Sequence, residues 1–132
     1  MSLEPGQSHK SDARHTETRT AAEALSSGDA VALDGNGELV TADGTNDPTV
    51  YGIVGHYPDG VAAGDEVLVV YSGPVVASVA AGVGAGVEVG ASATEGELAA
   101  GSSAKGIVTM YAEGSAPSGI PNVGGGFAYV DV

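Results

Sequence analysis

An all-β fold, a small antiparallel β-barrel or sandwich of short strands, is what this sequence predicts, on three observations. Turn-forming residues recur throughout, glycine alone contributing 22 of 132 positions. Between the turns lie short runs of Val, Ile, Leu and Ala, the length of strands rather than of helices. Asn36-Gly37 separates two such runs, a strong hairpin signal because both residues tolerate positive φ.

The chain opens with a polar stretch. From Met1 to about Arg19 there is no aliphatic residue after Leu3 except Ala13, so this stretch cannot build a core, and a flexible N-terminal arm is expected over residues 1–20. A single β domain is expected over 21–132. Thr20 and Glu23 have capping-box spacing and Gly28 stands where a helix would stop, so residues 20–26 read either as one helical turn or as an extended lead-in. Strands are predicted at Ala30 to Asp34 and Glu38 to Ala42, paired through Asn36-Gly37, and then at Val50 to Val54. Glu66 to Tyr71 and Pro74 to Val79 read as a second hairpin through Ser72-Gly73, with Pro74 confined to a strand's first residue or an edge. Val87 to Val89, Glu97 to Ala100, Gly106 to Tyr111 and Phe127 to Val132 complete the set.

A weak internal repeat runs through these elements. Gly28, Val31, Gly37-Glu38-Leu39, Ala42, Gly44 and Gly52-Ile53-Val54 match, in order, Gly86, Val89, Gly96-Glu97-Leu98, Ala99 or Ala100, Gly101 and Gly106-Ile107-Val108. The match reads either as one strand module used twice or as chance repetition in a chain of Gly, Ala and Val.

Charge narrows the function classes. Seventeen acidic residues face four basic ones, for a net charge of -13. Lys10, Arg14 and Arg19 lie near the N-terminus; setting aside Glu4, Asp12 and Glu17 leaves fourteen carboxylates beyond Thr20 against Lys105 alone. Such a body repels nucleic acid and anionic membranes, and neither is expected as a partner. Acids dispersed over turns, with almost no lysine, suit a protein that stays hydrated in concentrated salt. At about 1 M ionic strength the Debye length is roughly 3 Å, which removes most of the self-repulsion. The composition therefore reads as halophilic. With no cysteine, disulfides and thiolate metal sites are excluded. The polar N-terminus lacks the pattern of a signal peptide and no apolar run reaches membrane-spanning length, so the chain is expected to act inside a cell or to leave by a route other than secretion.

Candidate chemistry is sparse. Ser102-Ser103-Ala104-Lys105 matches a Ser-x-x-Lys element, but in a loop and without the companion elements of that enzyme class. Asp34, Asn36 and Glu38 place oxygen ligands at alternate positions, as a calcium loop does, and are the weak metal candidates; Leu39 follows where a full loop requires a glycine. The hairpin turn explains the same residues. His9, His15 and His56 lack a fixed set of co-ligands. The expectation is a protein that is not an enzyme and needs no cofactor.

Several segments, in this order, resemble those of the capsid cement, or head decoration, proteins of tailed viruses. They are Ser27-Gly28-Asp29-Ala30-Val31, Tyr51-Gly52-Ile53-Val54, Ala63-Gly64-Asp65-Glu66-Val67-Leu68-Val69 and Tyr71-Ser72-Gly73-Pro74-Val75, then Lys105-Gly106-Ile107-Val108 and the final Phe127-Ala128-Tyr129-Val130-Asp131-Val132. The resemblance covers about Ala24 to the C-terminus and implies a β-barrel that sits as a homotrimer on the outer surface of an icosahedral capsid, binding the major capsid protein and locking its subunits together. It places the protein on the virion, assembled in the host cytoplasm, and the acid excess points to a virus of a halophilic archaeon. The N-terminal segment lies outside the resemblance; its Lys10, Arg14, His15 and Arg19 are the expected capsid-binding residues, being the concentrated positive charge of an otherwise acidic molecule. The alternative reading is a small non-catalytic β binding module of a halophile cell-surface or carbohydrate-binding protein.

Overall fold

The computed structural model describes residues 2–3, 5–6, 15–43, 50–80, 83, 88–100, 104–108, 122–123 and 126–132. Among them there is no helix, and strands run in the order β1 (Ser2–Leu3), β2 (His15–Thr20), β3 (Ala30–Leu33), β4 (Leu39–Thr41), β5 (Gly52–Val54) and β6 (Glu66–Ser72). These are followed by β7 (Pro74–Ser78), β8 (Glu88–Ala91), β9 (Leu98–Ala100), β10 (Ala104–Val108), β11 (Asn122–Val123) and β12 (Phe127–Asp131). Each strand predicted from the sequence has a counterpart.

Two five-stranded antiparallel sheets form, ordered β2-β6-β5-β3-β4 and β7-β12-β10-β8-β9, with β1 and β11 as a separate parallel pair. Neither sheet closes on itself, so of the two expected architectures the closed barrel is set aside. One core is shared by both sheets, as in a sandwich: Ala30, Ile53 and Val70 of the first pack with Val75, Val89, Leu98 and Val130 of the second. The opposite face of the first sheet is also buried. There Val31, Leu39, Val54, Val67 and Val69 pack beneath Ala21, Leu25 and Val61 from the connecting segments. Burial on both faces explains why β3 reads Ala-Val-Ala-Leu, an unbroken apolar run.

The sheet orders superimpose one to one: β2 with β7, β3 with β8, β4 with β9, β5 with β10 and β6 with β12. Registers agree as well. Val31 stands opposite Gly52 and Ala30 opposite Ile53; Val89 stands opposite Gly106 and Glu88 opposite Ile107. The β3–β4 and β8–β9 turns both hold glycine at φ +77°, Gly37 and Gly96, in the left-handed region open to glycine. Of the two readings of the internal repeat, the fold favours one strand module used twice.

Two local expectations are corrected, and the open reading of residues 20–26 is decided for the extended lead-in. Ser72-Gly73 does not close a hairpin: β6 and β7 lie in different sheets, and Gly73 instead exchanges backbone hydrogen bonds of 3.0 Å with Val132. Pro74 does open an edge strand, as its missing N–H requires. Residues 20–26 form no helical turn; the Glu23 carboxylate accepts from the Thr41 N–H at 2.9 Å and the Thr41 hydroxyl at 2.7 Å, fastening this segment to β4. Finally, residues 15–20, assigned to the arm on their polar composition, are strand β2, paired along β6. A strand at an edge needs little apolar side chain when its backbone bonds and its neighbour's valines supply the energy.

Candidate interaction surface

The register of β2 decides what its side chains reach. Glu17 and Arg19 stand opposite Val69 and Val67, so they project on the face where those valines are buried. At the equivalent places of the second sheet, opposite Val130 and Ala128, stand Val75 and Ala77, both fully buried. The first sheet thus has a charged pair where the second has apolar side chains. Arg19 uses its length here. Its Nε donates to the Glu17 carboxylate, its Nη1 donates to the Gly37 carbonyl at 3.0 Å, and its guanidinium lies 5.1 Å from the Tyr51 ring centroid. Charge, hydrogen bond and ring quadrupole all hold the same group.

Tyr51 stacks on Tyr71 with centroids 6.2 Å apart and planes 24° apart, and the His15 ring lies 6.2 Å from that of Tyr71, tilted by 36°. Tyr71 is the exposed large hydrophobic side chain among the described residues, at 37 %. A row of contacts His15–Tyr71–Tyr51–Arg19, beginning and ending on β2, therefore combines aromatic area with positive charge, the composition enriched where protein surfaces bind.

Of the expected arm residues, the structure brings His15 and Arg19 into this row, while Lys10 and Arg14 lie outside the described residues. Tyr51 and Tyr71 were missed as site residues. Strand alternation was enough to put Tyr71 on the face of Val67 and Val69, but only the pairing of β5 with β6 brings Tyr51 beside it.

Asp34, Asn36 and Glu38 do share one turn, with a structural role. The Asp34 Oδ1 accepts from the N–H groups of Asn36 at 2.8 Å and Glu38 at 2.9 Å, an Asx-type cap that uses one carboxylate oxygen on the backbone. Among the described residues no group of three or more His, Asp or Glu side chains converges. Lys105 lies on strand β10, not one helical turn from a serine; Ser102 and Ser103 are outside the described residues.

A cleft of about 330 Å³ opens beside Pro5, Ser27, His56, Tyr57 and Pro58. Its polar groups serve the fold. His56 Nδ1 lies 3.1 Å from the Pro5 carbonyl, Ser27 Oγ accepts from the Tyr57 N–H, and the Tyr57 hydroxyl accepts from the Leu68 N–H at 2.7 Å. Nearby, Asp29 accepts from the Ser26 N–H at 2.9 Å. Burial pushes its carboxyl above the usual carboxylate range, the Ser26 bond opposes this, and the charge of Glu23 adds to it.

Comparison with protein-family models and with curated proteins finds no match.

Proposed function

We propose that this protein is a structural component of a viral capsid, a decoration or cement protein that binds the outer surface of the shell as a homotrimer. The observation that carries the reading is the row of His15, Tyr71, Tyr51 and Arg19 on an acidic body. A capsid of a salt-adapted virus is itself acidic, and this row is a place where the body meets such a partner without repulsion. The capsid-binding group of the reading is Lys10, Arg14, His15 and Arg19, with the aromatic pair supplying contact area. The order of segments resembling cement proteins supports it independently. Mass spectrometry of virions purified in high salt, with immunogold labelling of intact particles, tests it: the protein is expected on the outer shell in multiples of three. Its absence from virions overturns it.

One observation favours a second reading, a carbohydrate-binding module. Two stacked tyrosines with an exposed edge resemble a platform for sugar rings. Binding of the isolated protein to surface polysaccharides, abolished by Tyr71→Ala, distinguishes this from the capsid reading.

A further inference from the structure

Asparagine is a chemically labile side chain, and it is least hindered where the next residue is glycine, which puts no Cβ beside the backbone nitrogen. The chain holds that pair once, at Asn36-Gly37; Asn46 and Asn122 precede Asp47 and Val123. The β3–β4 turn leaves the pair open. Asn36 is exposed, and its carboxamide makes no hydrogen bond among the described residues. A Cβ placed on Gly35 would meet nothing within 4 Å, and one on Gly37 would meet the Arg19 Nη1 at 3.3 Å.

What holds this turn is Asp34. Its Oδ1 accepts from the Asn36 and Glu38 N–H groups, and its carbonyl accepts from the Gly37 N–H at 3.0 Å. The Gly37 nitrogen must leave that carbonyl before it can reach the Asn36 side chain. Any reaction between the two therefore waits on local opening of the turn.

We propose that Asn36 is a modification site, at which the folded protein deamidates at a rate set by Asp34. The Gly37 nitrogen, its proton taken by hydroxide, attacks the Asn36 Cγ and closes a five-membered succinimide. The Cγ–Nδ2 bond breaks, and the nitrogen leaves as ammonia with a proton from water. Water then adds to one of the two ring carbonyls and the ring opens. Opening at Cγ leaves aspartate at position 36; opening at the main-chain carbonyl leaves isoaspartate, whose backbone is one carbon longer. Water is the co-reactant, and nothing is oxidised or reduced.

The duplicated fold separates the two products. Gly96 stands at φ +77° as Gly37 does, and the residue before it, Glu95, is exposed. The second module thus carries an acid at this place, so aspartate is accommodated. Isoaspartate is not, because its extra carbon displaces the Gly37 carbonyl that accepts from the Arg19 Nη1 at 3.0 Å. That loosens the guanidinium over Tyr51. Either product adds a carboxylate beside Asp34 and Glu38 and works against the positive charge of the row. The inference rests on the turn and not on the capsid reading.

Incubation of the folded protein at mildly alkaline pH in concentrated salt, followed by peptide mass mapping, tests it, with the synthetic peptide Asp-Gly-Asn-Gly-Glu as reference. Conversion is expected at Asn36 ahead of Asn46 and Asn122, faster as pH rises, and slower than in the peptide. Asp34→Ala releases two N–H groups of the turn and is expected to convert faster than wild type. Enzymatic methylation of isoaspartate tells the two products apart. Asn36→Asp is expected to melt near wild type, and the isoaspartate fraction, separated by anion exchange, to melt lower. Asn36 intact in the wild type while the peptide converts, a rate in Asp34→Ala no greater than wild type, or an isoaspartate fraction that melts with the wild type overturns the proposal.

Discussion

Leu39 and Leu98 hold one position in two copies of the same design. Both are fully buried, both form an isolated parallel bridge, to Ala21 and to Val79, and each carbonyl accepts the next N–H along, from Ala22 at 2.9 Å and from Ala80 at 2.8 Å. The bridges draw each sheet's outer strands toward one another at one end without closing the sheet. Leu→Ala at either position is expected to cost about 2–5 kcal/mol, the transfer term plus the cavity left behind. Because Leu98 belongs to the core shared by both sheets, denaturant unfolding of both variants is expected to remain one cooperative transition. Separate transitions for the two sheets would show that the halves fold independently.

Gly6 makes the N-terminal segment part of the fold. At φ +81° it lies so close to the neighbouring chain that a Cβ would fall 2.2 Å from the Gly55 carbonyl carbon and 2.4 Å from its oxygen. Gly6→Ala is expected to undock Pro5 and Gly6 from β7 and to cost about 1–3 kcal/mol. Chemical melts measure the cost, and faster proteolysis ahead of residue 15 reports the undocking.

Removing residues 1–19 deletes most of β2 and is expected to lower the melting temperature strongly. A role of the N-terminal charges in docking is therefore tested by replacing Lys10 and Arg14 with glutamine, which leaves Gly6 and β2 in place. Capsid binding is expected to fall while the melt is unchanged.

The Glu23 carboxylate receives two hydrogen bonds from Thr41. Glu23→Ala leaves the Thr41 N–H at a half-buried site without that acceptor, and is expected to destabilise by about 1–3 kcal/mol. Thermal melts of Glu23→Gln check the assignment, since the amide oxygen retains an acceptor and recovers part of the loss.

Asp29 gives a pH dependence of defined sign. Its folded carboxyl is held above the ordinary value of 3.8, chiefly by burial. The folded state therefore binds its proton more readily than the unfolded state does. The stability this confers is full below the unfolded value and is lost as pH rises through the folded one. Acidification also relieves the general repulsion among carboxylates, so the measured quantity is the difference between wild type and Asp29→Asn. The variant is expected to gain stability relative to wild type as pH rises through this window; a constant difference would show that Asp29 does not titrate there.

Salt is expected to stabilise the fold. Lowering ionic strength from molar to millimolar extends the Debye length from roughly 3 Å toward 30 Å, bringing dispersed carboxylates into mutual repulsion. The melting midpoint should fall over that range, and a level midpoint would remove the halophilic reading.

Every strand of the two sheets except β2 was legible because its signals are local. Asn36-Gly37 fixes a turn by backbone sterics, apolar runs fix strand positions, and Pro74 fixes a strand's beginning at an edge, all within a few residues. The Gly37-Glu38-Leu39 and Gly96-Glu97-Leu98 repeat likewise showed in the letters. What the letters left open was which strand meets which. Ser72-Gly73 reads as a hairpin until the chain's other strands offer β6 and β7 separate partners. Glu23 reads as a helix cap until Thr41 is brought to it. His15–Thr20 reads as a disordered arm because its stability comes from β6 and not from its own side chains. Charge and composition by themselves determined an acidic, cysteine-free, all-β chain. Only the tertiary structure decided that Arg19 lies over Tyr51 beside Tyr71, because that face is assembled from three strands distant in sequence, and pairing energies between distant segments leave no local trace.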